Sequence, residues 1–267
     1  MRSVLLQGYP NLEYIVIDDG STDKSIEVIR KYERWLAHWE TGPNRGQAAA
    51  INRGLSMATG DVLAWLNSDD CLMPGALAAV GRRFARKENT QVTCGFRYQV
   101  QGDLRDGDWA QVAHLKPDRF TLSRHCYVRQ ETVFWRRAVW QDVGELNGSY
   151  QVCIDYDLWH RMLAAGYAFE LLPRFIGLYR AHSQAKTFSL AGGRRHDLQR
   201  IYRKYMHSSK TEVQMGIEIA AIWWKRMETL ARMARAGWLR RYPLAALLVR
   251  ALSLPESRVA EEWVARR

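Results

Sequence analysis

Blocks of apolar residues broken by short polar clusters mark out the first hundred positions. Residues 13–17 form a β-branched apolar run of strand length. It stops on Asp18-Asp19-Gly20, and Ser21, Thr22 or Asp23 can cap a following helix. In that helix Ile26, Ile29 and Tyr32 or Glu33 recur at helical spacing, with Leu36 beyond. "TGPNRG" is a loop, and Gln47 to Met57 reads as a small-residue helix closed near Thr59-Gly60. "DVLAWL" is a second buried strand, ending on Asn67-Ser68-Asp69-Asp70. Pro74 suits the first turn of a helix with Leu77, Val80 and Phe84 facing inward. "VTCGFRYQV" alternates as a third strand. Alternating strands and helices predict an α/β unit with a parallel sheet.

The pattern changes beyond residue 105. "QGDLRDGDWAQ" is polar and loop-like, and "VRQETVFWRRAVWQDVG" is aromatic and basic. "DYDLWHRMLAAG" reads as a helix starting near Asp157 and stopped by Gly166, and "FELLPRFIGLYR" as paired strands around Pro173. From about Arg194 the chain reads as helical to its end, with Val213, Ile217, Ala220, Trp224, Met227 and Ala231 on one apolar stripe. Three segments follow: 1–105 as an α/β part, 106–190 as a second part of the same domain, and 191–267 as a basic helical tail.

Composition narrows the class. A 267-residue chain with 47% hydrophobic and 25% charged residues has the make-up of a globular protein with a real core. Its four cysteines are far apart in sequence, which matches neither a disulfide framework nor a metal-type pair. No stretch reaches the ~20 apolar residues that span a bilayer, and no secretory signal is read at the start, so a cytoplasmic location is expected. The net charge is +11, and residues 191–267 hold 16 Lys/Arg against 7 Asp/Glu. Such a tail suits a phosphate-rich surface, either nucleic acid or anionic lipid. Its Lys225, Arg226, Arg232 and Arg235 flank the stripe, and "WLRRYPLAALLVRAL" adds interfacial Trp238 and Tyr242. Contact with the inner face of a plasma membrane is the expectation for the stretch after Gly237, and packing on the rest of the chain for Val213 to Ala231.

Two acidic clusters at strand ends carry the chemistry. In an α/β sheet ligands bind beyond the carboxyl ends of the strands, so both clusters belong on one rim. Asp69 suits a divalent metal, because Mg²⁺ and Mn²⁺ take oxygen ligands and are often held by one or two carboxylates plus substrate phosphates. Asp19 suits a nucleoside, since a carboxylate accepts from a base N–H or a ribose hydroxyl. Each could instead cap a helix; two clusters together favour a site.

At these motifs the chain resembles the family 2 glycosyltransferases, inverting enzymes of the nucleotide-sugar-binding GT-A fold. The resemblance rests on four ordered segments: "SVLLQGYPNLEYIVIDDGSTDKS", "GPNRGQAAAINRGLSMATGDVLAWLNSDD", "RQETVFWRRAVWQDVGELN" and "IDYDLWHRMLAAGYAFELLPRFIGLYRAHS". It implies a GT-A mixed sheet and an inverting transfer from a nucleoside-diphosphate sugar, of the uridine type, to an acceptor hydroxyl. The acceptor implied is a carbohydrate or lipid-linked molecule in cell-surface polysaccharide or glycolipid synthesis. By the same resemblance Asp19 with Asp18 holds the base and ribose, and Gln47 lines the nucleotide pocket. Asp69 binds a Mn²⁺ or Mg²⁺ ion on the diphosphate with Asp70 as support, and His182 faces the diphosphate or metal. Asp155 is the general base.

Each role has a rival. Asp155 could cap the helix, His182 could be a surface histidine, and Trp135, Trp140 and Trp159 could stack a sugar or pack a core, the latter being expected for at least two.

The chain departs from the family pattern in four places. Asn67 stands where the metal motif has its first aspartate, Ile154 precedes Asp155 where the family has glutamate, and Ile51 replaces a basic residue, leaving Arg45 or Arg53 to meet nucleotide charge. The family's first strand, expected between the strands ending at Asp18 and Leu66, is absent, as in an N-terminally truncated chain. Two other readings are a nucleic-acid-binding protein acting through the tail and a non-catalytic remnant of the fold. Residues 1–190 offer no basic aromatic groove, so no nucleic-acid partner is expected.

Overall fold

The computed structural model describes residues 1–206, apart from 44, 102–108, 113–116, 119–121 and 123–125. The tail stripe and the membrane-facing stretch after Gly237 lie outside the described residues. Two sheets organise the chain. The smaller is a parallel pair of β1 (Ile15–Asp18) and β2 (His38–Thr41), joined by α2 (Ser25–Tyr32) after a short α1 (Arg2–Leu5). β1 is the expected apolar run, whereas β2 gives little signal in the sequence.

The larger sheet is mixed, as the family resemblance implies, and not all parallel as the alternation alone predicts. Its order is β3 (Val62–Leu63), β7 (Val133–Arg136), β5 (Val92–Gln101), β8 (Phe169–Ala181), β4 (Cys71–Leu72), with β6 (Trp109–Val112) also on β5. Only β5–β8 runs parallel; the other pairs are antiparallel. β5 and β8 are both long, and Val92, Cys94, Phe169 and Ile176 in them are fully buried. A strand buried on both faces is where parallel pairing is found. "DVLAWL" contributes only two ladder residues, Val62 and Leu63.

Residues 169–181 form one strand, not two. Leu171 pairs with Cys94 and Phe175 with Phe96, so Leu172, Pro173 and Arg174 oppose Gly95 alone. Pro173 falls in this bulge, where its missing N–H interrupts no ladder bond.

Helices cover both faces of the large sheet. On one, α4 (Ala76–Arg86) buries Ala76, Ala79, Val80 and Phe84 against Phe134, Leu172 and Ile176. On the other lie α3 (Gln47–Met57), α5 (Arg137–Val143), α6 (Ile154–Ala164) and, after a one-turn α7 (Lys186–Ser189), α8 (Ala191–Met206). Val133 and Trp135 join this second core while Phe134 faces the first, as period-two alternation requires. Trp135, Trp140 and Trp159 all pack there, Trp135 and Trp159 fully buried, as the core reading of the tryptophans has it. α6 starts at Ile154, before the expected Asp157, and ends as expected: Gly166 has φ 92°, and the Tyr167 N–H donates to the Met162 carbonyl. Among the described residues no helix is long and apolar enough to cross a membrane.

Candidate functional site

The two acidic clusters meet along the N-terminal end of α3. Asp18 closes the β1 turn: its Oδ2 accepts from the Gly20 and Ser21 N–H groups, each at 3.1 Å, and from Thr41 Oγ1 at 2.7 Å. Burial opposes its ionisation, but the bonds from Ser21 and Thr41 outweigh that and hold its carboxyl below the ordinary aspartate range. Its side chain is buried, and these bonds make it a turn former. Asp19 points the other way. Its two oxygens accept from the Arg45 and Gly46 N–H groups, both at 2.8 Å, just before α3. A carboxylate has about four acceptor positions, so Asp19 keeps room for further donors. Gly46 has φ 93°, a backbone region that strains any other residue.

From α3 a chain of amides runs to the second cluster. Lys186 Nζ donates to Gln47 Oε1 (3.3 Å), Gln47 Nε2 to Asn67 Oδ1 (2.9 Å), and Asn67 Nδ2 to Gln130 Oε1 (3.2 Å). Gln130 Nε2 ends it on the Trp65 carbonyl at 2.5 Å. Two residues beyond Asn67, Asp69 Oδ2 lies 3.1 Å from His182 Nε2, and both side chains are about a third exposed. Arg53 is occupied elsewhere, in a bidentate pair with Glu40 at 2.8 and 3.0 Å.

Asp70 turns inward. Its buried carboxylate accepts from the Arg180 N–H at 3.4 Å. Burial, then the charges of Glu131 and Asp69, push its pKa up to about 8. Glu131 is itself buried, 3.6 Å from Arg97 Nη1, and Gly177 makes that possible: a Cβ there would fall 2.8 Å from the Glu131 carbonyl oxygen. Sequence reasoning assigned no role to Gln130, Glu131, Arg97 or Lys186. The signal for the first two was their place in the quoted "RQET" segment.

Asp155 is half-buried in the first turn of α6, one residue inside the helix, with Cys153 at the cap position. It is not at the cap position, yet its Oδ1 satisfies one first-turn N–H, accepting from Tyr156 at 2.8 Å. Burial raises its pKa to about 6, Glu131 adding to the rise while Arg129 and the backbone bond oppose it. A carboxylate so tuned can take a proton near neutral pH.

Asp69 and His182 fit a Mn²⁺ or Mg²⁺ ion. They present one oxygen and one imidazole nitrogen at a half-open rim, and such ions take their remaining ligands from phosphate oxygens and water. Among the described residues no group of three or more His, Cys, Asp or Glu stands ready to hold a metal by itself.

A mixed sheet covered by helices on both faces, with an acidic rim beside α3, is the GT-A architecture of nucleotide-sugar transferases. The chain belongs to glycosyl transferase family 2, whose family model matches residues 1–144. A glycosyltransferase of Haemophilus influenzae is 49% identical over 71 residues, 26% of this chain and 28% of that protein. The PGL/p-HBAD biosynthesis glycosyltransferase of Mycobacterium bovis is 28% identical over 163 residues, 59% of this chain and 60% of its own. The chain thus spans less than two thirds of the length of either relative. The solved structure of S. aureus TarS 1–349 in complex with UDP superposes with a TM-score of 0.56 at 16% identity, covering 83% of this chain and 65% of that one. The mannosyltransferase PcManGT of Pyrobaculum calidifontis, in complex with GDP-Man and Mn²⁺, does so with 0.55 at 18% identity, covering 98% and 77%. At these identities the two structures establish the fold.

Proposed function

We propose that the chain transfers a sugar from a nucleoside-diphosphate donor to an acceptor hydroxyl with inversion. The observation that carries this reading is that Asp19 and Asn67 both bond to the start of α3, and that Asp69, two residues beyond Asn67, pairs with His182. It joins a nucleoside-type acceptor to a cation-type pair along one helix end. Asp19 and Gln47 orient the nucleotide. Asp69 and His182 hold a divalent ion, which when bound offsets the charge that develops on the departing diphosphate. Lys186 and the α3 N–H groups add positive potential on the same side.

Asp155 is the general base. It accepts the proton of the attacking hydroxyl, and burial, with the charge of Glu131, raises its basicity. A uridine-type donor is favoured by the family resemblance and by the UDP held in TarS; the guanosine donor of PcManGT is the second reading. The acceptor proposed is a carbohydrate or lipid-linked hydroxyl, in keeping with the biosynthetic name of the mycobacterial relative.

Sugar release and transfer from a panel of UDP-sugars tests the assignment. Turnover should rise with pH through about 6 as Asp155 ionises. Asp155→Asn should lower it ~10²-fold or more while donor affinity stays within twofold. Near-normal turnover by the Asn variant would remove Asp155 from the base role.

A further inference from the structure

α8 is laid across the segment that leads into the Asp155 helix. Arg200 donates to the Ser149 carbonyl at 2.8 Å and to Ser149 Oγ at 2.9 Å, and its guanidinium lies 4.5 Å from the centre of the Tyr150 ring. A Cβ at Gly193 would meet only the tip of the Gln151 side chain, which can swing aside. Between these contacts is Asp197, 1% exposed. Its Oδ2 alone accepts three successive backbone N–H groups: Gln151 at 2.8 Å, Val152 at 2.7 Å and Cys153 at 3.2 Å. Cys153 is the cap residue of α6, and Asp155 follows two positions later.

Three amides converging on one oxygen fix the peptide planes of 151–153, and with them the point where α6 begins. A buried carboxylate at a helix N-terminus also meets the positive end of the helix dipole. Helix caps are commonly made by a residue of the same turn. Here the acid comes from 44 to 46 residues away, so the start of α6 depends on the seating of α8.

We propose that Asp197 is a positioning residue for Asp155: by clamping residues 151–153 it holds the base in its half-buried seat. The proposal rests on reading Asp155 as the general base. Asp197 acts through the backbone and touches neither substrate nor metal.

Release of the clamp changes the surroundings of Asp155. The ionisable groups that act on Asp155 are Glu131 and Arg129, with Cys126 and Cys153 beside it. If residues 151–153 loosen, water reaches the carboxylate and its pKa falls toward ~4, the value of an exposed aspartate. An asparagine at 197 keeps an oxygen for the amides and should preserve the seat.

Carboxyl ¹³C NMR titration of the full chain tests this, with the Asp155 signal assigned by its loss in Asp155→Asn. The wild-type midpoint is expected near 6. Asp197→Ala should lower it by a unit or more, whereas Asp197→Asn should stay near the wild type. Lys204→Ala loosens the same helix at its contact with Asp157 and should leave the midpoint unchanged. Should Asp197→Ala fail to fold, Asp197→Ser, whose shorter side chain cannot reach three amides at once, is expected to give the same downward shift. An unchanged midpoint in a folded clamp variant would overturn the proposal, as would equal shifts in Asp197→Ala and Lys204→Ala. UDP release from the sugar panel by Asp155→Asn separates the two readings. Full turnover there removes the base role itself, whereas lost turnover with an unmoved midpoint removes only the part given to Asp197.

Discussion

Replacing Asp157 by asparagine probes how α8 is held. The carboxylate is fully buried on α6 and accepts from Arg161 Nε at 2.9 Å, Lys204 Nζ at 3.0 Å and Tyr205 O–H at 3.1 Å. Burial opposes its ionisation, but the bonds from Lys204 and Arg161 win and hold its carboxyl below the ordinary aspartate range. Removing one member of a buried ion pair costs ~3–5 kcal/mol. Here two facts lower the figure. Arg161 keeps bonds to the Val143, Gly144 and Glu145 carbonyls, and the Lys204 side chain is 47% exposed, so water can solvate it. The expected loss is therefore about 3 kcal/mol at pH 7, the low end of that range. At ~2–4 °C per kcal/mol, this lowers the melting temperature by about 6–12 °C.

The sign with pH follows from the depressed pKa. The contribution of Asp157 is complete above the unfolded value of ~3.9 and is lost as pH falls through the lower folded value. Urea unfolding followed by circular dichroism at pH 7, 5 and 3.5 should show a constant gap between wild type and variant at the first two. The gap should narrow at the third. A loss under ~1 kcal/mol at pH 7 would mean that the pair only balances its own desolvation, and the reasoning would be wrong.

Two further substitutions test the site. Gly177→Ala should displace Glu131 and destabilise the fold by ~1–3 kcal/mol, seen as a lower urea midpoint, because the added Cβ meets backbone that cannot swing away. Asn67→Asp restores the family's residue yet should cost ~1–3 kcal/mol in metal-free urea unfolding. The aspartate cannot donate to Gln130 Oε1, and Gln130 cannot turn over without abandoning the Trp65 carbonyl. Unchanged stability would show that the amide chain is not a fixed feature.

The legible parts of the sequence were those where local pattern and burial agree. β1, α3, α4 and β5 follow from apolar runs at strand or helix spacing, with a breaker at each end. β2 was not legible, since His38-Trp39-Glu40-Thr41 becomes a strand only by pairing with β1. The mixed sheet came only with the family resemblance; the local pattern could not give it, because an apolar run has no direction until its partner is known. The acidic residues divided in a way that neighbours in sequence do not show. Asp18 and Asp19 are adjacent, but one is tied into a turn and the other faces the start of α3. Asp69 and Asp70 are adjacent, but one meets His182 on the rim while the other is buried beside Glu131. Asp157 was placed only at a helix start, and Asp197 was given no role. Their burial is set by α8 packing across residues 149–157, contacts that no local window contains.

Calorimetric titration of the chain with UDP, with Mn²⁺ and again with EDTA, shows whether Asp69 makes nucleotide binding depend on a divalent ion. Binding should strengthen at least tenfold with Mn²⁺, and an Asp69→Ala variant, folded by circular dichroism, should bind UDP equally weakly in both conditions. Equal affinity of the wild type with and without Mn²⁺, or a full metal effect surviving in Asp69→Ala, would contradict that role of Asp69.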